Sequence, residues 1–184
     1  MTKAGERMLQ LMDRAVTKWH LPVIGKQKGR TLRRLLAARR PRRAVEVGSL
    51  FGYSAILIAG HLGAAGRLTC IEHNPFLAWM VEANVREAGF GARVRVVAGD
   101  ALSALPRLTG PIDFVLIDAD KNDYLAYLEA VERRLVAGAL VVADNTGMFR
   151  REVKDYLAHV RGRRYESREH DFGFDCMEVS VFRG

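Results

Sequence analysis

Apolar positions along the chain follow two rhythms. From residue 44 onward, short and mostly apolar runs recur at Ala44–Val47, Leu68–Ile71, Val94–Val97, Phe114–Ile117 and Leu140–Ala143. Helix-length stretches separate them: Tyr53–Leu62, Pro75–Ala88, Ala101–Leu108 and Asp123–Leu135. Strands that are apolar on both faces, alternating with amphipathic helices, predict a parallel sheet covered on both sides. Ahead of the first strand the spacing predicts a helix over Ala4–Lys18 and a connector containing Pro22 and Gly25. A second helix follows near Gly29–Ala38, with Leu32, Leu35 and Leu36 on one face. After Asn145 a helical stretch at Glu152–Val160 precedes strand-like runs at Tyr165–Arg168 and Met177–Phe182. With no helix between them, these two form an antiparallel pair at the sheet edge. The expectation is therefore an α/β fold, a doubly wound and mostly parallel sheet with an antiparallel C-terminal pair. Residues 1–184 read as a single domain without internal repeats, and ligands belong at the carboxyl ends of its strands.

Composition narrows the function classes. Of 184 residues, 49% are hydrophobic and 27% charged, an ordinary globular balance. The two cysteines, Cys70 and Cys176, form no CxxC pair, which excludes a zinc ribbon, an iron–sulfur site and a disulfide scaffold. No apolar run approaches the roughly 20 residues of a membrane span, and Met1–Gln10 lacks the apolar stretch of a secretory signal. The cytoplasm is the default expectation, with no membrane partner. The net charge is +8, and Gly25–Arg43 holds nine basic residues and no acidic one. Such a run suits phosphate-rich partners. A solvated helix face explains it more simply, and no aromatic residue is interleaved for base stacking.

The strand ends carry the chemistry. The first closes on Glu46-Val47-Gly48-Ser49-Leu50-Phe51-Gly52-Tyr53-Ser54, whose glycines permit a tight turn and close approach of a ligand to the backbone. Its GxxxG spacing is not the GxGxxG of a dinucleotide site. An acid in a buried strand needs a partner, so Glu46 points to a ligand bearing positive charge. Glu72 ends the second strand 20 residues after Gly52, where an acid hydrogen-bonds a ribose diol. Asn74 before Pro75 already supplies a helix cap there, and His73 neighbours the same site. Asp100 at the third strand end suits either a helix cap or an acceptor for an adenine amino group. The fourth strand ends Asp118-Ala119-Asp120-Lys121 and the fifth Asp144-Asn145. Asp118 and Asp144 close neighbouring strands on one edge, and with the Asn145 amide they make a hard oxygen site suited to Mg²⁺. Capping explains either acid singly, but accounts less well for the pair with Lys121 beside it.

In this order, Glu46-x-Gly48-x-x-x-Gly52-Tyr53-Ser54, Ile71-Glu72, Gly99-Asp100-Ala101, Ile117-Asp118-Ala119-Asp120-Lys121 and Asp144-Asn145 resemble the metal-dependent S-adenosylmethionine O-methyltransferases. That family includes catechol and caffeoyl-coenzyme A enzymes, and the resemblance runs from about Trp19 to the C-terminus. Val23–Gly29 and Tyr156–Gly162 look nearest the catechol branch. The resemblance implies a Rossmann-like class I methyltransferase fold. Glu46, Gly48, Tyr53 and Ser54 would surround the methionine part of S-adenosylmethionine, and Glu72 would hold the ribose. His73, Asp100 and Ala101 would lie toward the adenosine. Asp118, Asp144 and Asn145 would ligate Mg²⁺ or another divalent cation, Lys121 would be the general base, and Asp118 would also border the cofactor.

The chain is short for that family and lacks a long insertion after Asn145, which favours a small phenolic substrate over a bulky acyl-coenzyme A. Trp19, Leu21 and Pro22 suit either an apolar lip or core packing, and Asp175 has no firm role. A short cover leaves the pocket open or closed by a second subunit in a homodimer. Three alternatives stand beside this reading. A nucleic-acid methyltransferase would use the basic run, but amino-methylating enzymes place an Asn/Asp-Pro-Pro-aromatic motif where Asp118-Ala119-Asp120-Lys121 stands. A nicotinamide dehydrogenase is disfavoured by the missing GxGxxG. A non-catalytic cofactor-binding module has no use for Lys121.

Overall fold

The computed structural model describes all 184 residues. Its strands are β1 (Arg43–Val47), β2 (Arg67–Glu72), β3 (Val94–Ala98), β4 (Ile112–Ile117), β5 (Leu135–Ala143), β6 (Tyr165–Asp171) and β7 (Cys176–Phe182). Its helices are α1 (Lys3–Trp19), α2 (Gly25–Arg39), α3 (Tyr53–Ala59), α4 (Pro75–Glu87), α5 (Ala101–Ala104), α6 (Tyr124–Glu132) and α7 (Lys154–Val160). The strands form one sheet in the order β3-β2-β1-β4-β5-β7-β6. The pairings among β1–β5 are parallel, and β7 joins β5 antiparallel with β6 outside it.

Alternation along the strands divides the core between two faces. Ala44, Leu68, Cys70, Phe114, Leu116, Leu140, Val142, Met177 and Val179 join one apolar cluster with α1, α2, α3 and α4. Val45, Val47, Ile71, Val115, Ile117, Val141, Ala143 and Phe182 join the other with α5, α6 and α7. Fully buried Leu32 and Leu36 anchor α2, each contributing about 1.5–3 kcal/mol of burial energy. Thr2 caps α1, accepting from the Gly5 N–H at 2.8 Å, and Asn74 caps α4, accepting from Phe76 and Leu77.

Several boundaries differ from the sequence reading. Helix α2 begins at Gly25 rather than Gly29. Gly29 lies inside it, facing Leu57 and Tyr53 of α3. The stretch expected as helix over Ala101–Leu108 is one α turn followed by a 3₁₀ turn at Leu105–Arg107, where Pro106 cannot donate an N–H. The helix expected over Asp123–Leu135 ends at Glu132, and Leu135 already pairs with Ile112 in the sheet. No helix is long and apolar enough to cross a membrane.

Candidate active site

The chain reverses its direction of travel across the sheet between β1 and β4, the switch point at which α/β sheets open a crevice. A cavity of about 830 Å³ lies there, lined from all five parallel strand ends. Gly48 leaves β1 at φ +83°, and a Cβ on it would fall 2.1 Å from the Asp118 carbonyl oxygen. Only glycine lets the first turn pass this close to the end of β4. Gly52, at φ +96°, then opens α3.

Glu72 organises that turn. One carboxylate oxygen accepts the N–H groups of Ser49 at 3.1 Å and Leu50 at 2.9 Å, and the other accepts that of Asn74 at 3.0 Å. The second oxygen, with a single donor, keeps a lone pair for one more, and Glu72 lines the cavity. Ser54, His73, Asp100 and Ala101 also line the cavity. Asp100 caps α5, accepting from Ser103 at 2.8 Å, and so fills the capping role that the sequence allowed. Tyr53 contributes to the wall, but its hydroxyl turns away to Asp13 of α1 at 2.9 Å.

Glu46 is set back from the cavity surface. It belongs to the strand face packed under α3, is fully buried, and is not among the residues lining the cavity. One oxygen accepts the Ser49 hydroxyl at 2.7 Å and the other has no partner. Burial pushes its carboxyl up to about 7.

At the other end of the cavity, Lys121 donates to Asp118 at 2.9 Å and to the Tyr124 hydroxyl at 2.8 Å. Tyr124 in turn donates to the Asp144 carbonyl oxygen at 3.0 Å. The Asn145 amide nitrogen donates to Asp175 at 2.7 Å, which fixes the amide orientation and leaves its oxygen without a protein donor. Asp118 and Asp144 each keep one carboxylate oxygen equally free. All three residues line the same cavity, so the oxygen donors of a hard-cation site are present. No three His, Cys, Asp or Glu side chains form a metal-binding group; the set is two carboxylates and an amide. Burial and the neighbouring Asp118 charge push the Asp144 carboxyl above the usual range, and Lys28 only partly offsets them. A cation fits that unmet negative charge.

Lys28 was hidden in the basic run. It is 2% exposed and bonds Asp144 and Asp175 at 2.6 Å each. Lys26, Arg30, Arg34, Arg39, Arg40, Arg42 and Arg43 are exposed, as a solvated face requires. The four-residue spacing Lys28-Leu32-Leu36 was the available signal, since it puts the lysine on the buried stripe. Asp175 gains a role from the same cluster: it also accepts from the Met148 and Cys176 N–H groups at 2.8 Å. Its carboxyl falls to about 2, because these bonds outweigh burial. Pro22, Val23, Ile24, Met148 and Phe149 line the apolar side of the cavity. Trp19 is 65% exposed and belongs neither to that lip nor to the core.

A mostly parallel sheet with a glycine turn at the switch point and an acid at the end of the neighbouring strand defines the class of Rossmann-like folds. Within that class, the O-methyltransferase family model matches residues 3–160, and the chain belongs to that family. It is 41% identical over 123 residues to a catechol O-methyltransferase of Mycobacterium tuberculosis, covering 66% of this chain and 56% of that protein. The chain thus spans little more than half the length of that relative. A catechol O-methyltransferase of Sus scrofa is 32% identical over 175 residues, 88% of this chain and 93% of the relative. Among solved structures, the O-methyltransferase TomG of Streptomyces achromogenes, in complex with SAM, superposes with a TM-score of 0.82 at 26% identity. That match covers 100% of this chain and 91% of TomG.

Proposed function

We propose that the chain transfers the methyl group of S-adenosylmethionine to one hydroxyl of a small vicinal-diol phenol, with a divalent cation such as Mg²⁺ in the site. The observation that carries this reading is the shared cavity. It joins the Gly48 turn and Glu72 at one end to Lys121, Asp118, Asp144 and Asn145 at the other. The catechol O-methyltransferase names of two relatives and the SAM held by TomG support it.

In this reading Glu72 takes a ribose hydroxyl, Asp100 and Ala101 flank the adenine with His73, and Gly48, Tyr53 and Ser54 border the methionine portion. Glu46 borders the same portion through its unpaired carboxylate oxygen, beside the Ser49 hydroxyl. Asp118, Asp144 and Asn145 hold the cation through their free oxygens. When bound there, the cation lowers the pKa of two adjacent phenolic hydroxyls, as it does for water. Lys121 Nζ accepts the hydroxyl proton, and Asp118 and Tyr124 fix its position. The phenolate oxygen then forms a bond to the methyl carbon as the sulfur–methyl bond breaks, leaving the neutral thioether. Much of the acceleration comes from holding oxygen, carbon and sulfur in line. Met148 and Phe149 present apolar surface to an aromatic ring at the mouth.

The test is methyl transfer from S-adenosylmethionine to catechol, dihydroxybenzoate and caffeate, each with Mg²⁺ and with a chelator. Product that depends on the metal is expected. Lys121→Ala should lower turnover about 10²–10⁴-fold, the range for a lost acid–base group, with cofactor affinity nearly unchanged. Asp144→Ala should abolish the metal dependence. Tight cofactor binding without product from any phenol refutes the acceptor class, and absent cofactor binding refutes the whole reading.

A further inference from the structure

Lys28 is the one buried lysine near the cavity, and the reaction described above gives it no task. Its ammonium lies between two carboxylates, bonded at 2.6 Å to Asp144 and at 2.6 Å to Asp175. The Phe174 ring covers it, with its centroid 5.6 Å from Nζ. One simple role for such a lysine is to hold the acids in place, but both are held without it. Asp144 accepts the Asn145 N–H at 2.8 Å through the same oxygen that meets Lys28. Asp175 accepts the N–H groups of Met148 and Cys176 and the amide of Asn145. The geometry of the free oxygens on Asp144 and Asn145 therefore rests on backbone and amide donors. What Lys28 adds is charge, placed one carboxylate away from where a divalent cation would sit.

We propose that Lys28 is a built-in counter-cation that competes with the divalent ion for Asp144 and keeps that ion weakly held and exchangeable. The inference rests on the metal-site reading above. A positive charge at 2.6 Å from Asp144 already neutralises much of its attraction for a second cation, and the two cations also repel across the carboxylate. Like charges in a dry site interact far more strongly than at the surface, because little water screens them. Of the three acids, Asp144 and Asp175 are committed to Lys28, while Asp118 is shared with Lys121. The cluster thus offers a dication less net charge than its count of carboxylates suggests. Lys28 is a positioning residue for charge, since it does not line the cavity.

The experiment is direct titration of Mn²⁺ into the cofactor-free protein, followed by the electron paramagnetic resonance of free Mn²⁺. The parent chain is compared with Lys28→Met and Lys28→Arg. Lys28→Met removes the competing charge and should bind Mn²⁺ at least tenfold more tightly than the parent. Lys28→Arg keeps the charge and should stay within about threefold of it. Mn²⁺ binding by the parent with no gain in Lys28→Met overturns the counter-cation role and leaves the metal site standing. No binding by either protein overturns the metal site and the role together. Lys28→Met strips two buried carboxylates of their partner, so its melting temperature is measured with and without millimolar Mn²⁺. If the variant folds only with Mn²⁺, the dication has replaced the ammonium, as proposed; a variant that stays unfolded with Mn²⁺ present overturns the proposal.

Discussion

Gly48 offers a quantitative check on why the first turn must carry glycine. Two costs are combined in Gly48→Ala, and Gly173 separates them. Gly48 lies at φ +83° and Gly173, in the turn before β7, at φ +84°. A Cβ at Gly173 meets nothing within 4 Å, so Gly173→Ala reports the left-handed backbone alone, about 1–2 kcal/mol. At Gly48 the same Cβ would stand 2.1 Å from the Asp118 carbonyl oxygen and 2.8 Å from its carbon, both of them backbone atoms. Neither side yields easily. The Gly48 N–H donates to Ile71 at 2.9 Å, and the Asp118 N–H donates to Val47 at 2.9 Å. Overpacking costs about 1–3 kcal/mol, and a lost backbone hydrogen bond about 1 kcal/mol more. Gly48→Ala should therefore lose about 4 kcal/mol in total, a large share of a typical domain's 5–15 kcal/mol. Urea titration of both variants, read at constant m, measures the difference. Equal losses in the two variants would refute the close-approach argument.

Three further outcomes follow from the packing. Burial raises the Glu46 carboxyl from 4.5 to about 7, so the folded protein binds more protons than the unfolded chain between those values. Stability should fall as pH rises through that window, by roughly 3 kcal/mol at most, and Glu46→Gln should flatten the profile; a parent profile as flat as the variant's contradicts this. Arg161 meets the buried Glu178 through two nitrogens at 2.9 and 2.8 Å but is itself half-exposed, so Arg161→Met should destabilise by about 1–3 kcal/mol in chemical denaturation. Thr2→Ala removes the α1 cap and should cost about 1 kcal/mol, seen as a small drop in melting temperature.

The parallel sheet was legible because β1, β2, β4 and β5 are mostly apolar on both faces, a pattern that only a sheet covered by helices on either side readily produces. The β6–β7 pair was legible for the opposite reason, since no helical period separates its two runs. Helix ends were less so. Leu135 continues the apolar period of α6 yet pairs with Ile112 in the sheet, and only the tertiary neighbour decides. At the site, acids at strand termini stand out because burial there is costly without a partner. Their partners do not stand out. Lys28 looks like any lysine in a basic run until its four-residue spacing to Leu32 and Leu36 is combined with an acid 147 positions away. Glu46 is a case where residue type stands out but its surroundings do not: only the fold shows that it is fully buried with one carboxylate oxygen unpaired. Met148 and Phe149 follow Asn145 in an irregular stretch whose path no short-range period encodes.

Because Glu72 already grips the Ser49 and Leu50 N–H groups, the loop between β1 and α3 has its shape before any ligand arrives. The entropy of ordering it is spent during folding, so association there should proceed at the rate of a rigid encounter. In the proposed function one carboxylate then serves two masters. Trimming Glu72 loosens the loop as well as removing an acceptor, so its loss should slow arrival as well as hasten departure.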